Sequence, residues 1–202
     1  MKKLNSSTQS LADGLLKAGC VKFGKFTLKS GQKSPIYIDL RRLVAFPELL
    51  KDVAAAYAEI LNNLEFDQLA ALPYAAMPIG TAISLHGGWP MIYPRKEVKG
   101  YGTKVEVEGV YDAGQRAVVI DDLISSGGSK LEGIQKLNQA GLEVKDIVVL
   151  IDRQSAGVDF MGEHGYSLHS VFTLPQMLDL WEQSEKVGKE KIDAAREFLL
   201  RS

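Results

Sequence analysis

Apolar residues recur along this chain with two periods. From Leu69 onward, short apolar runs at 69–72, 91–93, 117–120 and 147–151, and the more mixed 168–172, alternate with stretches at helical spacing. Continuous short runs read as strands buried on both faces, and their alternation with helical segments predicts a parallel sheet with helices on both sides. Upstream, Leu11, Leu15 and Leu16, with Ala12 and Ala18, predict an amphipathic first helix that stops at Gly19. The stretch 23–39 predicts a hairpin: Phe26 and Leu28 alternate before Ser30-Gly31, and Ile36 and Ile38 follow Pro35. Pro47 opens a long helix carrying Leu49, Leu50, Val53, Tyr57, Ile60 and Leu61. VEVEGV at 105–110 alternates apolar and acidic residues and predicts a solvent-facing antiparallel strand. A last helix, from about 189 to 200, is charged on one face and is expected only to pack. No repeat, low-complexity tract or linker interrupts the pattern, so residues 1–202 are expected to form one domain.

The chain is organised around AVVIDDLISSGGSKLEGIQKL, residues 117–137. Its β-branched run is followed by Asp121 and Asp122, placed where the strand would end. Ser125-Ser126-Gly127-Gly128-Ser129 comes next, and then Leu131, Ile134 and Leu137 at helical spacing. A strand, a small hydroxylated glycine loop and a helix start make an anion cup, because free N–H groups at a helix start point at a phosphate and glycines let the backbone close around it. Two carboxylates beside a bare phosphate would repel it, so they need another partner, such as ribose hydroxyls or a bound Mg²⁺. The stretch lacks the GxxxxGK[ST] of a P-loop and the GxGxxG of a dinucleotide fold. A plain strand–turn–helix with solvated acids is the competing reading.

Composition narrows the class. With 46 % hydrophobic and 24 % charged residues over 202 positions, the chain has material for a sizeable core. A net charge of −1 gives no push towards nucleic acid or an anionic membrane. The single Cys20 excludes an intrachain disulfide framework, and His86, His164 and His169 are too scattered for metal-ligand spacing. Met1-Lys2-Lys3 is basic, but Asn5 to Ser10 is polar where a signal peptide needs an apolar run, and no segment approaches a membrane span. The expectation is a reduced, cytoplasmic enzyme or binding protein.

In open α/β sheets ligands gather beyond the carboxyl ends of the strands. Those ends carry Pro73-Tyr74-Ala75-Ala76-Met77-Pro78-Ile79-Gly80, then Arg95-Lys96-Glu97-Val98-Lys99-Gly100-Tyr101-Gly102, then the acid pair with its cup, and finally Asp152-Arg153. Arg95, Lys96, Lys99 and Lys104 lie in a loop punctuated by Gly100 and Gly102. It reads either as a solvated surface loop or as a lid that brings cations onto a polyanionic substrate and excludes water.

VVIDDLISSGGS resembles the phosphoribosyl-pyrophosphate signature of the phosphoribosyltransferases. RKEVKGYG after a strand, the hairpin FTLKSGQKSP and the acid pair before the cup together resemble the orotate phosphoribosyltransferases, over roughly residues 23–153. SPIYIDLR and YGTK look like the form that stands first in bifunctional UMP synthases, and no second catalytic domain fits in the remaining residues. The resemblance implies an α/β fold of the type I phosphoribosyltransferase kind: a central parallel sheet flanked by helices, with a small hood subdomain to which residues 20–40 contribute and an antiparallel lid arm.

It also implies roles for single residues. Lys29, Tyr37 and Ile38 would line an orotate pocket, and Arg153 and Ser125 would hold the orotate carboxylate. Asp121 and Asp122 would take the ribose hydroxyls, and Ser126, Gly127, Gly128 and Ser129 the 5-phosphate. Arg95, Lys96 and Lys99 would grip the diphosphate of the substrate, with Lys99 and Lys96 supplied by the partner subunit of a homodimer with shared active sites. Lys99, Asp121 and Asp122 would be the catalytic groups. Mg²⁺ would be held mainly by the substrate rather than by a protein ligand set. A separate orotidylate decarboxylase is a further partner the resemblance leaves open.

Two positions depart from the family pattern. Ala75, after Tyr74, stands where many members carry a lysine, so that loop would work through backbone N–H groups. Tyr101 stands where many bacterial members carry a lid histidine, which removes an imidazole acid there. From the residues alone, Lys29 reads first as a hairpin-tip cation, while Tyr37 also reads as strand packing and Arg153 as a partner of Asp152. A purine phosphoribosyltransferase and a non-catalytic RNA-binding regulator are the rival readings. The first gives Lys29 and Arg153 no carboxylate to meet, and the second wants a basic face that the charge does not show.

Overall fold

The computed structural model describes residues 6–28, 31–96, 106–125, 127–154 and 160–201. Helix α1 (Ser6–Lys17) leads into a two-stranded antiparallel hairpin of β1 (Val21–Thr27) and β2 (Lys33–Ile38). A 3-10 turn over Leu40–Ala45 follows, then α2 (Pro47–Leu61) with Pro47 in its first turn. The sheet elements are β3 (Gln68–Ala71), β4 (Met91–Pro94), β5 (Val107–Glu108), β6 (Arg116–Ile124), β7 (Glu143–Asp152) and β8 (Ser167–Thr173). Between and after them run α3 (Ala76–Gly87), α4 (Gly128–Gln139), α5 (Phe160–Glu163), α6 (Leu174–Gln183) and α7 (Lys189–Arg201).

The six-stranded sheet has the order β5-β4-β3-β6-β7-β8, parallel throughout except for β5 on β4. Its central strand shows why continuous apolar runs were needed. Val118 and Ile120 join a cluster with α2, α3, α6 and α7, while Ala117 and Val119 join a second cluster with Ile134 and Leu137 of α4. Successive side chains point to opposite faces, and both faces are covered by helices. The hairpin stands apart from this sheet and is fixed by Phe23, whose ring meets Trp181 of α6 edge-on at 5.7 Å, and by α7 packing on β2. No helix among the described residues is long and apolar enough to cross a membrane.

Three expectations change. Strand β6 does not stop at Ile120 but runs to Ile124, because β7 continues to Asp152 and supplies ladder partners, Asp121 opposite Val149 and Ile124 opposite Asp152. The acid pair therefore sits inside a strand and inherits its rigidity. The antiparallel strand expected over 105–110 shortens to Val107–Glu108, and Val107 is buried rather than solvent-facing. Gly109 ends it at φ +113, where a Cβ would come 2.8 Å from Ile92, so only glycine turns the chain there. Finally, α7 does more than pack: Phe198 lies against the guanidinium of Arg153.

Candidate active site

The carboxyl ends of β3, β4, β6 and β7 bring their loops to one rim. Tyr74, 64 % exposed, leaves the end of β3, and the ammonium of Lys96 after β4 sits 5.0 Å over its ring. Ala75 caps α3 without a side-chain hydrogen bond. Arg95 forms a 2.5 Å ion pair with Glu108 of β5. Lys136 of α4 donates to the Arg95 carbonyl at 2.6 Å and the Lys96 carbonyl at 3.2 Å, tying the β4 exit to the cup helix. The β7 exit is tied to β6 by the Arg153 N–H, which donates to the Ile124 carbonyl at 3.1 Å.

At the cup, Gly127 adopts φ +76 and precedes α4. A Cβ there would lie 2.4 Å from the Phe160 ring, so left-handed backbone and close approach both demand glycine. The Gly127 carbonyl accepts the Lys130 N–H at 2.9 Å, and the N–H groups of Gly128 and Ser129 have no described backbone acceptor. Gly128, Ser129 and Ser125 are exposed. Together they leave a solvent-facing helix start able to accept an anion.

Behind the cup the acids differ. Asp121 is buried; its Oδ2 meets the Lys130 ammonium at 2.6 Å and its Oδ1 accepts the Asp122 N–H at 2.9 Å. The hydroxyl of Tyr57, from α2 on the other face of the sheet, donates to the Asp121 carbonyl at 2.7 Å. Burial first, and then the neighbouring Asp121 charge, push Asp122 up to about 7, opposed by Lys130. Burial, with the acids beside it, also holds Tyr57 well above the ordinary phenol range, so it remains a neutral donor.

Arg153 is half-buried, and burial alone pulls it below its ordinary value. Its guanidinium carbon lies 5.9 Å from the Phe198 ring centre. Asp152, its sequence neighbour, instead accepts the Gln154 N–H at 2.8 Å, and no carboxylate among the described residues pairs with Arg153. A desolvated cation with no counterion among the described residues suits an anionic ligand.

The other candidates divide. Tyr37 stacks on Phe26 with centroids 5.4 Å apart and takes a 3.5 Å contact from Arg41, and Ile38 packs on the core cluster. Lys29, Lys99, Tyr101 and Ser126 lie outside the described residues, as do Gly100, Gly102 and Lys104 of the lid stretch. Of the histidines, His169 meets Asp146 at 2.8 Å and His164 packs on Phe160. Among the described residues no three His, Cys, Asp or Glu side chains are grouped to hold a metal ion.

Sequence reasoning missed Lys130, Tyr57, Lys136 and Phe198. Two of them left a signal. Lys130 is spaced four and seven residues before Ile134 and Leu137, which puts a cation on the buried face of α4 and demands a buried partner. Tyr57 stands in the apolar stripe of α2, where a hydroxyl needs an acceptor. Lys136 and Phe198 look like ordinary surface and core residues until the fold places them.

No protein-family model matches the chain. Whole-protein comparisons do. An orotate phosphoribosyltransferase of Pyrobaculum aerophilum is 36 % identical over 92 % of this chain and 95 % of its own length. The uridine 5'-monophosphate synthase of Bos taurus is 40 % identical over 94 % of this chain but 40 % of its own length. The solved UMP synthase of Leishmania donovani superposes with a TM-score of 0.89 and 46 % identity over 98 % of this chain and 43 % of that one. The chain thus spans about 36 to 43 % of the length of the longer relatives it matches and nearly all of a shorter one. On that likeness, with a cup, an acid pair and a type I sheet in the places the motifs indicated, the chain belongs to the orotate phosphoribosyltransferase family.

Proposed function

We propose that this protein transfers the phosphoribosyl group of 5-phosphoribosyl 1-diphosphate to orotate, giving orotidine 5'-monophosphate and diphosphate, a step of UMP synthesis. The observation that carries the reading is the charge layout of the rim. An open helix start for a phosphate stands beside a confined acid pair, with a half-buried arginine that meets no carboxylate among the described residues at the next strand end. A ribose 5-phosphate needs the first two, and a base bearing a carboxylate needs the third.

In this reaction the bond from ribose C1 to the diphosphate oxygen breaks with its electron pair on diphosphate, and orotate N1 bonds to C1 as its proton passes to water or to the released diphosphate. Positive charge grows at C1 as diphosphate leaves, so the protein's work is positioning and charge stabilisation rather than supply of a nucleophile. Gly127, Gly128 and Ser129, with Ser126, hold the 5-phosphate. Asp121 and Asp122 place negative charge and hydrogen-bond acceptors beside the ribose hydroxyls. Arg153, backed by Phe198, receives the orotate carboxylate as a two-pronged pair, together with Ser125. Lys29, Tyr37 and Ile38 wall the base. Tyr74, Ala75, Arg95 and Lys96 face the diphosphate, and Arg95 exchanges Glu108 for it.

A Mg²⁺ ion held mainly by the substrate, beside Asp121 and Asp122, would supply positive charge to offset that of the leaving group. The acid pair fits such a substrate, because the one lysine beside it is engaged with Asp121. We further propose a homodimer in which Lys99 and Tyr101 of one subunit reach the other's diphosphate; Lys96 already stands at its own strand-end loop. A separate orotidylate decarboxylase would consume the product. We propose a cytoplasmic location, in the compartment that supplies its phosphorylated substrate.

The test offers orotate, uracil, adenine and guanine in turn with 5-phosphoribosyl 1-diphosphate and Mg²⁺. Turnover with orotate far above the others is expected. Preference for a purine would make Arg153 irrelevant, and no turnover with any base would favour a binding role.

A further inference from the structure

Asp121 and Lys130 are the only charged residues that are buried among the described residues. They are spent on each other and on β6. Lys130 lies one turn into α4, yet its ammonium points back along the strand, donating to the Leu123 carbonyl at 2.5 Å and meeting Asp121 at 2.6 Å. Aimed this way, and with its side chain 7 % exposed, it is not presented to a phosphate at the helix start. Both oxygens of Asp121 are engaged, and Tyr57 pins the same residue's carbonyl from the opposite face of the sheet. Asp122 is the more exposed of the two acids.

We propose that Lys130 is a positioning residue for phosphoribosyl transfer: it locks the Asp121 carboxylate against β6, so that Asp122 is the acid that meets the ribose hydroxyls directly. This rests on the reading that the cup and acid pair bind a ribose 5-phosphate. Two adjacent carboxylates left unanchored would turn away from each other, and neither would be held to the tolerance that a transition-state contact needs. Lys130 removes that freedom for one acid, and the strand backbone then fixes the direction of the other. The charged groups that bear on Asp122 are Asp121 on its own strand and Lys130 from α4; Tyr57 from α2 adds a neutral phenol.

The test uses Lys130→Met, Asp121→Asn and the double variant. Binding of ribose 5-phosphate and of inorganic phosphate is measured separately by calorimetry, and orotate turnover alongside. Wild type should bind ribose 5-phosphate more tightly than phosphate. Lys130→Met should erase most of that difference while phosphate binding stays within about twofold, and kcat should fall about ten- to a hundredfold with the orotate KM unchanged. The double variant should be no worse than Asp121→Asn alone, since Lys130 acts through Asp121. Equal weakening of phosphate would make Lys130 a cup cation, and additive losses in the double variant would make it independent of Asp121; either overturns the proposal. Should Lys130→Met not fold, the comparison of Asp121→Asn with the double variant, in which both charges are gone, decides by the same criterion. If wild type proves inactive with orotate, the substrate reading fails but the two calorimetric titrations still judge Lys130. Ribose 5-phosphate binding no tighter than phosphate would sink both.

Discussion

Arg153→Met separates specificity from stability. In the ligand-free protein the guanidinium is desolvated, its value is pulled down by burial alone, and no described carboxylate balances it. Among the described residues its guanidinium meets the Phe198 ring at 5.9 Å, near the outer limit of a cation–π interaction and worth about 0.5–1 kcal/mol. Methionine keeps an unbranched side chain against Phe198 and removes the buried charge, so the change in unfolding free energy should lie within about 1 kcal/mol of zero, or be stabilising. With orotate bound the balance reverses. A two-pronged, charge-assisted pair is worth about 1.5–3 kcal/mol, so kcat/KM for orotate should fall roughly ten- to 150-fold. Uracil lacks the carboxylate, and its slow turnover should be untouched. Arg153→Lys, with a point charge in place of the fork, should fall between wild type and methionine. The assay is initial-rate kinetics with both bases at saturating 5-phosphoribosyl 1-diphosphate, beside urea unfolding of the free protein. If uracil turnover falls as far as orotate turnover, or stability falls by several kcal/mol, Arg153 is a structural residue and the specificity argument is wrong.

Asp122 titrates between its ordinary 3.8 and about 7, so the folded state holds more protons than the unfolded chain across that window, and its contribution to stability is lost as pH rises through it. Asp122→Asn should therefore stabilise the free protein at pH 8 relative to wild type, with the gain shrinking towards pH 4, while turnover collapses; melting curves across pH check the sign. Gly127→Ala should cost about 1–2 kcal/mol for left-handed backbone plus the displacement of Phe160 that a 2.4 Å approach forces, lowering Tm and raising the KM for 5-phosphoribosyl 1-diphosphate more than that for orotate. If lids are exchanged in a dimer, mixing Lys99→Ala with Asp121→Asn subunits should restore about a quarter of wild-type activity, because half the dimers are mixed and each has one intact site. Proven subunit exchange without recovery would mean that each subunit serves its own site.

The sheet was legible because strands buried on both faces must be apolar throughout: runs such as 147–151 have no amphipathic reading. The cup was legible because an open helix start behind a left-handed residue calls for glycine, and Gly127 is placed there. The end of β6 was not, since Asp121 and Asp122 look like punctuation until β7 is known to run far enough to pair with them. The inequality of the two acids was hidden too. It depends on which way the Lys130 side chain turns, and spacing places that residue on a face without giving its direction. Phe198 lies 45 positions from Arg153, and only the docking of α7 makes them neighbours.

The central claim is transfer between diphosphate and orotate, and the reverse reaction tests it most directly. Purified protein is given orotidine 5'-monophosphate, diphosphate and Mg²⁺, and the products are separated and weighed by mass spectrometry. The account predicts orotate and 5-phosphoribosyl 1-diphosphate in equal amounts, with no reaction when diphosphate is left out. Release of orotate with ribose 5-phosphate, independent of diphosphate, would show a hydrolase, and unchanged orotidine 5'-monophosphate would contradict the account altogether.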